Sequence, residues 1–194
     1  MRVIAGRAKG HHLRAPRGTE TRPTSDKVRE AIFSILNEFY LDSPVLDLFA
    51  GTGALGIEAL SRGASQAIFV ERRGPACQAI RANLQHTGLN DQASILCMPV
   101  ERALATLHEP FRLILLDPPY AYPNLHDIMA RIAGAEVLDD ATTVVFEHSP
   151  RFAVQKYYGR LALQRQKVYG DTAVSIFVVR EEQNGDGGGV PGQL

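Results

Sequence analysis

The stretch "VLDLFAGTGALGIEALSRGASQAIFVE", residues 45–71, decides the fold. Val45–Ala50 is a short apolar run interrupted only by Asp47, and it reads as a buried strand. Gly51, Thr52 and Gly53 turn the chain into "GALGIEALSRG", whose apolar residues recur at helical spacing and whose Gly63 closes the helix. "QAIFVE" is then a second apolar strand. A helix between two such strands is a crossover, and a crossover joins parallel strands with the helix packed on the sheet.

The same rhythm extends outward. "PACQAIRANLQHTG" is a helix with Pro75 at its start and Gly88 at its end. "SILCM", a helix near Val100–Leu107 and the strand "RLILLD" follow, then a helix near Asn124–Ala133 and the strand "TTVVFEH". The end differs: "ALQRQKVYG" and "AVSIFVVR" are separated only by Asp171 and Thr172, too short for a crossover, so they form an antiparallel hairpin at the sheet edge. Upstream, "RPTSDKVREAIFSIL" is a helix capped by Ser25 or Asp26, and "RVIAG", a Gly/Lys turn and "HHLRAP" form a short hairpin. The expected fold is α/β: a doubly wound, Rossmann-like sheet, mostly parallel, with an antiparallel C-terminal hairpin and a small N-terminal β-hairpin extension. The expected organisation is a basic extension over 1–24, a main domain over 25–183 and a disordered Gly-rich tail over 184–194.

With 194 residues, 45% of them hydrophobic and 22% charged, the chain has the composition of one soluble globular core. No apolar run approaches the ~20 residues of a membrane span, and the N-terminus lacks the apolar core of a secretory signal. Cys77 and Cys97 have no metal-like spacing and are expected as free, buried thiols in a reducing cytoplasm. Net charge is zero but unevenly spread. Residues 1–30 hold eight Lys/Arg against three acids, +5, and the remainder carries −5. A basic arm on an acidic body suits a polyanion such as nucleic acid. A solvated, partly mobile arm is the plainer alternative.

Gly51, Gly53 and Gly56 have GxGxxG spacing, and Glu71 ends the next strand 18 residues past Gly53. Alone, this fits a dinucleotide site with Glu71 on a ribose. Asp47, four residues before the turn, opposes a pyrophosphate and favours a cation. S-adenosylmethionine carries two positive centres, a ribose and no phosphate, so the acids suit it better. The glycines would let the backbone pass close to the ligand, with a bulkier residue 53 colliding with it. A ligand-free tight turn and an NAD-dependent oxidoreductase remain alternatives.

"LDPPY" supplies a second site at the end of the fourth strand of the series, where open α/β sheets bind ligands. Pro118 and Pro119 lack amide hydrogens and have fixed φ, which holds the Pro118 carbonyl beside the Asp117 carboxylate. Two adjacent acceptors match the two hydrogens of a base's exocyclic amine, and Tyr120 offers a face on which a flipped-out base stacks. Holding those hydrogens localises the nitrogen lone pair, and Asp117 stabilises the positive charge that develops during attack. No metal is needed. The alternative is a simple Asp-Pro-Pro turn.

At these residues the chain resembles the class I S-adenosylmethionine-dependent methyltransferases of exocyclic amines, with their (D/N)PP(F/Y/W) signature. "RVIAGRAKGHHLRAP", "RPTSDKVREAIFSIL", "LDLFAGTGALGIEALSRGA", "LDPPY" and "YGDTAVSIF" run in the order seen in the bacterial 16S ribosomal RNA guanine-N(2) methyltransferase family (RsmD-like), over roughly residues 2–180. The resemblance implies that Asp47, Phe49, Ala50, Gly51, Thr52 and Gly53 surround the methionine part of the cofactor, with Glu71 on the ribose. Asp117, Pro118, Pro119 and Tyr120 would hold the target guanine. Arg22 and Thr24 of "RPT", with Arg29, would line the RNA-side mouth, and Arg2, Arg7, Lys9 and Arg14 would contact RNA from the arm. Many relatives of the wider class place an acid after the third strand. This chain has Met98, Pro99 and Val100 there, so adenine is expected against the Val100 backbone and apolar packing, with Glu101 one step on.

The implied partner is 16S RNA within the small subunit or an assembly intermediate, for a cytoplasmic monomer without membrane or metal. An adenine amino methyltransferase acting on DNA and a non-catalytic RNA-binding assembly factor are the rivals. Arg72 and Arg73 touch the cofactor or lie in a solvated loop. His11 and His12 are adjacent and would face opposite sides of a strand, which argues against a joint metal site and leaves phosphate contact as the alternative, and His86, His108, His126 and His148 are assigned solvated or capping roles.

Overall fold

The computed structural model describes residues 1–15, 25–37 and 40–180. The chain runs α1 (Asp26–Leu36), β1 (Pro44–Leu48), α2 (Ala54–Arg62), β2 (Gln66–Val70) and α3 (Gly74–Thr87), then a 3-10 turn (Asn90–Gln92). It continues with β3 (Ala93–Leu96), α4 (Val100–Leu104), β4 (Leu113–Leu116), α5 (Leu125–Gly134) and β5 (Thr143–His148). β6 (Tyr157–Tyr158), β7 (Leu161–Tyr169) and β8 (Thr172–Val179) complete it. The strands form one sheet in the order β3-β2-β1-β4-β5-β8-β7-β6. The first five are parallel and the last three antiparallel, as the crossover and hairpin arguments require.

Two apolar layers sandwich the sheet. Val45, Leu113, Leu115, Val145, Val174 and Ile176 face α1, α2 and α3. Leu46, Leu48, Ile114, Leu116, Val144 and Phe146 face α4 and α5. Strict alternation along β1 therefore puts Asp47 on the Val45 side, among the residues of the first layer. Ser25 caps α1, its Oγ accepting from Val28 N at 3.2 Å, a bond worth about 1 kcal/mol. Gly88 ends α3 in the left-handed conformation, donating to the Leu84 and Gln85 carbonyls.

One expectation is corrected and two are refined. The C-terminal hairpin lies at the edge, but only β7 reads as a half-exposed edge strand; β8 is inserted between β5 and β7 and is buried almost throughout. Its unbroken apolar run needed cover on both faces, and the two-residue β6 flanks β7 further out. Cys77 and Cys97 are not free: they form a disulfide, with Cα atoms 6.1 Å apart. The crossover through α3 returns the chain to β3 beside the start of that helix, which sequence spacing does not reveal. Cys77 is buried and Cys97 exposed, so only one of the two is a core residue.

The N-terminal segment is the third. A single antiparallel bridge joins Arg2 and His12, and Val3, Ala8 and Leu13 are buried in the first layer. The buried Glu58 carboxylate of α2 accepts from Ile4 N at 2.8 Å and Ala5 N at 3.0 Å. It also pairs with Arg62 Nε at 2.7 Å and Arg29 Nε at 3.6 Å. A Cβ on Gly6 would lie 1.7 Å from the Ser61 carbonyl oxygen, so only glycine permits this approach. The backbone of this segment is thus fastened to α2, while its Arg and Lys side chains stay exposed. The Gly-rich tail lies outside the described residues. Among the described residues no helix is long and apolar enough to cross a membrane.

Candidate active site

Parallel pairing of β1 with β4 sets Leu48 against Leu116, so the chain leaves both strands at the same edge. The Gly51 turn and the Asp117–Tyr120 step consequently open into one cleft of about 770 Å³. Asp47, Phe49, Ala50, Gly51, Thr52, Glu71, Arg72, Val100, Asp117, Pro118, Pro119 and Tyr120 all line it.

The turn's backbone donors are turned towards acids. Gly51 N donates to Glu71 Oε2 at 3.0 Å, and Gly56 N to Asp47 Oδ2 at 2.9 Å. In a pyrophosphate site such amides would be left for the ligand's oxygens. Asp47 is fully buried, and burial pushes its carboxyl up to about 8, with the Asp117 and Glu71 charges adding to the effect and the Gly56 bond opposing it. Glu71 Oε1 also accepts from Arg73 N at 2.9 Å. A wall of carboxylates with spent amides fits a cationic, phosphate-free ligand. S-adenosylmethionine meets that test, with Asp47, Gly51, Thr52, Glu71 and Val100 as its candidate holders.

The three glycines have separate tasks. Gly51, at φ +56, would set a Cβ no nearer than 3.9 Å to its closest neighbour, Phe49 O, so it leaves the cleft wall low. Gly53, expected to face the ligand, is buried. A Cβ there would sit 3.3 Å from each of Ile57, Ile80 and Phe69, so its constraint is core packing and its φ of +79 at the start of α2. A Cβ on Gly56 would fall 2.4 Å from the Phe69 ring and 3.1 Å from Asp47 Oδ2.

Phe49 adopts φ +60, a left-handed conformation that costs a non-glycine residue about 1 kcal/mol or more. That bend sends its ring into the cleft, edge-on to Tyr122 with centroids 4.8 Å apart. The Tyr122 hydroxyl donates to Glu101 Oε1 at 2.6 Å, and burial together with that carboxylate pushes the phenol up to about 12. Glu101 is therefore engaged with Tyr122, and Val100 is the residue of α4 that reaches the cleft.

On the acceptor side Pro118 is buried, Asp117 half-buried, and Tyr120 46% exposed. The Tyr120 hydroxyl lies 3.1 Å from the Asp171 carbonyl and 2.8 Å from Thr172 Oγ1. The β7–β8 turn thus fixes an otherwise open ring, which is the role the closing hairpin plays here. Arg72 lies over the Tyr122 ring at 5.8 Å, and Arg73 pairs with Glu71 at 3.3 Å.

The RNA-facing assignments divide. Arg2, Arg7, Lys9 and Arg14 are exposed, and Met1 and Ala15 bring both ends of their segment to the cleft. Arg29 is corrected: its side chain has no exposed surface and is held by Asp26, Glu58 and the Arg2 carbonyl. A guanidinium so enclosed cannot meet a phosphate. Arg22 and Thr24 lie outside the described residues. Sequence reasoning missed Tyr122, Glu147, Tyr169 and Thr172, all lining the cleft. Tyr122 stands two residues beyond the "DPPY" signature and could have been found; the other three arrive through strand pairing alone.

The family model described as "Conserved hypothetical protein 95" matches residues 1–178. Protein YlbH of Bacillus subtilis (strain 168) is 41% identical over 183 residues, covering 93% of this chain and 100% of its own. "Ribosomal RNA small subunit methyltransferase D" of Escherichia coli (strain K12) is 30% identical over 177 residues, 91% of this chain and 89% of its own. The solved structure of yhhF from Escherichia coli is 31% identical and superposes with a TM-score of 0.80, over 92% of this chain and 97% of the other. With that match spanning the arm, the glycine turn, the "DPPY" step and the closing hairpin, the chain belongs to the RsmD-like family of class I methyltransferases.

Proposed function

We propose that the chain transfers a methyl group from S-adenosylmethionine to the exocyclic amine of a guanine in 16S ribosomal RNA, within the small subunit or an assembly intermediate. The observation that carries this reading is the junction of an acid-lined glycine turn and the Asp117–Tyr120 step in one cleft. The relative named for the small-subunit RNA supports the substrate. We place the activity in the cytoplasm and in a monomer.

When bound, S-adenosylmethionine supplies a methyl group already activated by its sulfonium. The chain's own residues do the rest. Asp47 and Glu71 offset positive charge and take a ribose. Val100 and Phe49 provide apolar walls. The Asp117 carboxylate and Pro118 carbonyl accept the two amine hydrogens, which localises the lone pair on nitrogen, and Asp117 stabilises the charge that nitrogen gains. Tyr120, fixed by Thr172, stacks on the base. The exposed Arg7, Lys9 and Arg14 hold the RNA backbone beyond it.

The test supplies methyl-labelled S-adenosylmethionine with small subunits, and separately DNA, from a strain lacking this gene. After digestion, label should appear in guanosine methylated on its exocyclic amine, from small subunits alone. Label in DNA adenine would overturn the substrate, and absence of label from every acceptor, small-subunit assembly intermediates included, would overturn the catalytic reading.

A further inference from the structure

Asp117 is not the only acid at the acceptor end of the cleft. Glu147, the fifth residue of β5, is 4% exposed and lines the same cavity. β4 and β5 pair in parallel with Leu115 against Val145 and Leu116 against Phe146. Continuing that register by one residue sets Asp117 beside Glu147, one strand spacing apart, about 4.8 Å. Alternation puts both on the face of Leu115 and Val145, which is the face that carries Asp47 on β1. Three adjacent strands thus present Asp47, Asp117 and Glu147 on one face, with Asp47 opposite Leu115 and so two residues deeper in the sheet than Asp117.

The proposed function uses the first two: Asp47 at the cofactor end and Asp117 on the amine. We infer that Glu147 is the specificity-determining residue that reads the ring nitrogen next to that amine, accepting the N1–H of guanine. This inference rests on the proposed amine-methyl transfer at Asp117.

The chemistry of the bases gives the reason. Beside its exocyclic amine guanine carries N1–H, a donor. Beside theirs, adenine carries N1 and cytosine N3, both acceptors. An edge with adjacent N–H and NH₂ donors is matched by two adjacent acceptor groups, and the β4–β5 pair places two acidic side chains on the same face of neighbouring strands. Adenine or cytosine in the same pose would set a ring lone pair against the Glu147 oxygens with no hydrogen between them. A buried acceptor–acceptor contact is heavily penalised, because neither group keeps its water. Glu147 therefore explains how a step shared by guanine, adenine and cytosine methylation is restricted to guanine.

The test compares wild type, Glu147→Gln and Glu147→Ala on small subunits reconstituted with either guanine or 2,6-diaminopurine at the methylated position. Diaminopurine keeps the 2-amine but has an acceptor at N1. Wild type should methylate guanine and reject diaminopurine by about 100-fold or more. The glutamine variant can turn its amide to donate to N1, so its preference should shift towards diaminopurine by at least about tenfold. The alanine variant should methylate both slowly and with little preference. S-adenosylmethionine should raise the melting temperature of all three equally, which separates a reading role from misfolding. If both variants slow the two substrates in equal proportion, Glu147 does not read the base and the inference falls, while the Asp117 assignment stands. If wild type labels adenosine instead, the function reading and this inference fall together.

Discussion

Asp47→Asn separates the energetics of the cleft from its chemistry. Asp47 is buried, with its carboxyl raised from 3.8 to about 8, so at pH 7 the folded protein keeps it mostly protonated while the unfolded chain would ionise it. Holding that proton over the interval from 3.8 to 7 costs about 4 kcal/mol of folding free energy. The group's contribution is fully favourable below pH 3.8, is lost progressively as pH rises, and levels off above about 8. Asparagine cannot ionise, keeps an acceptor for Gly56 N, and escapes this loss. The stability difference between variant and wild type should therefore widen by about a factor of ten in the folding constant per pH unit between pH 5 and pH 8, then become constant. At pH 7 the variant should melt roughly 8–16 °C higher, since about 1 kcal/mol moves a chain of this size by roughly 2–4 °C. Denaturant titrations at pH 5, 6, 7, 8 and 9 measure the difference directly.

The same substitution should weaken S-adenosylmethionine binding. A cation in the cleft favours the ionised carboxylate, so wild-type affinity should climb between pH 6 and pH 8 with release of a proton, and the variant's should not. A stability difference that is flat from pH 5 to pH 8 would refute the reasoning, because it would mean that Asp47 titrates as an exposed aspartate does.

The other expectations address the frame and the acceptor step. Replacing Cys77 and Cys97 by serine opens a link across a sequence separation of 20, and should cost roughly 3 kcal/mol by chain entropy; an equal melting temperature with and without a dithiol reductant would contradict it. Glu58→Gln removes one of the two carboxylates paired with buried Arg29, leaving Asp26 at 2.9 Å, and should cost about 1–3 kcal/mol. Hydrogen exchange should then quicken at Ile4 and Ala5, and unchanged protection of those amides would show that the carboxylate does not fasten the N-terminal segment. Asp117→Asn should lower methyl transfer by roughly 10²–10³-fold with little change in stability or cofactor binding; a wild-type rate in this variant would remove Asp117 from the reaction.

Much of the sheet could be read along the chain because its signals are local. Val45–Leu48, Gln66–Val70 and Leu113–Leu116 are short apolar runs punctuated by glycine and proline, and the helices between them leave parallel pairing as the economical arrangement. The two halves of the cleft were readable for the same reason: each is a strand end whose odd residues, Asp47 and Asp117, break an apolar run. Partnerships across the fold were not readable. Arg29 counted as one more positive charge in a basic arm, yet it is buried against Glu58 of another helix. Summing charges by position in the chain treats an enclosed ion pair and a solvated arginine alike, which inflated the arm's apparent reach towards RNA.

Glu147 shows the same limit from the other side. Within "TTVVFEH" it is simply the acid that ends a strand, as Glu71 is in "QAIFVE". Its neighbour is settled by strand order: β5 lies against β4, and its other flank is closed by β8, which enters from the far end of the chain. That insertion covers β5 on both sides, buries Glu147 and brings Thr172 to the Tyr120 hydroxyl at 2.8 Å. The hairpin therefore does more than finish the sheet. Without β8, β5 would be an edge strand with Glu147 open to water, where a lone pair facing it could be hydrated and the penalty against adenine would vanish. On the proposed guanine reading, selectivity at this end of the cleft depends on desolvation, and desolvation here is supplied by an antiparallel strand about 25 residues downstream of the acid it encloses.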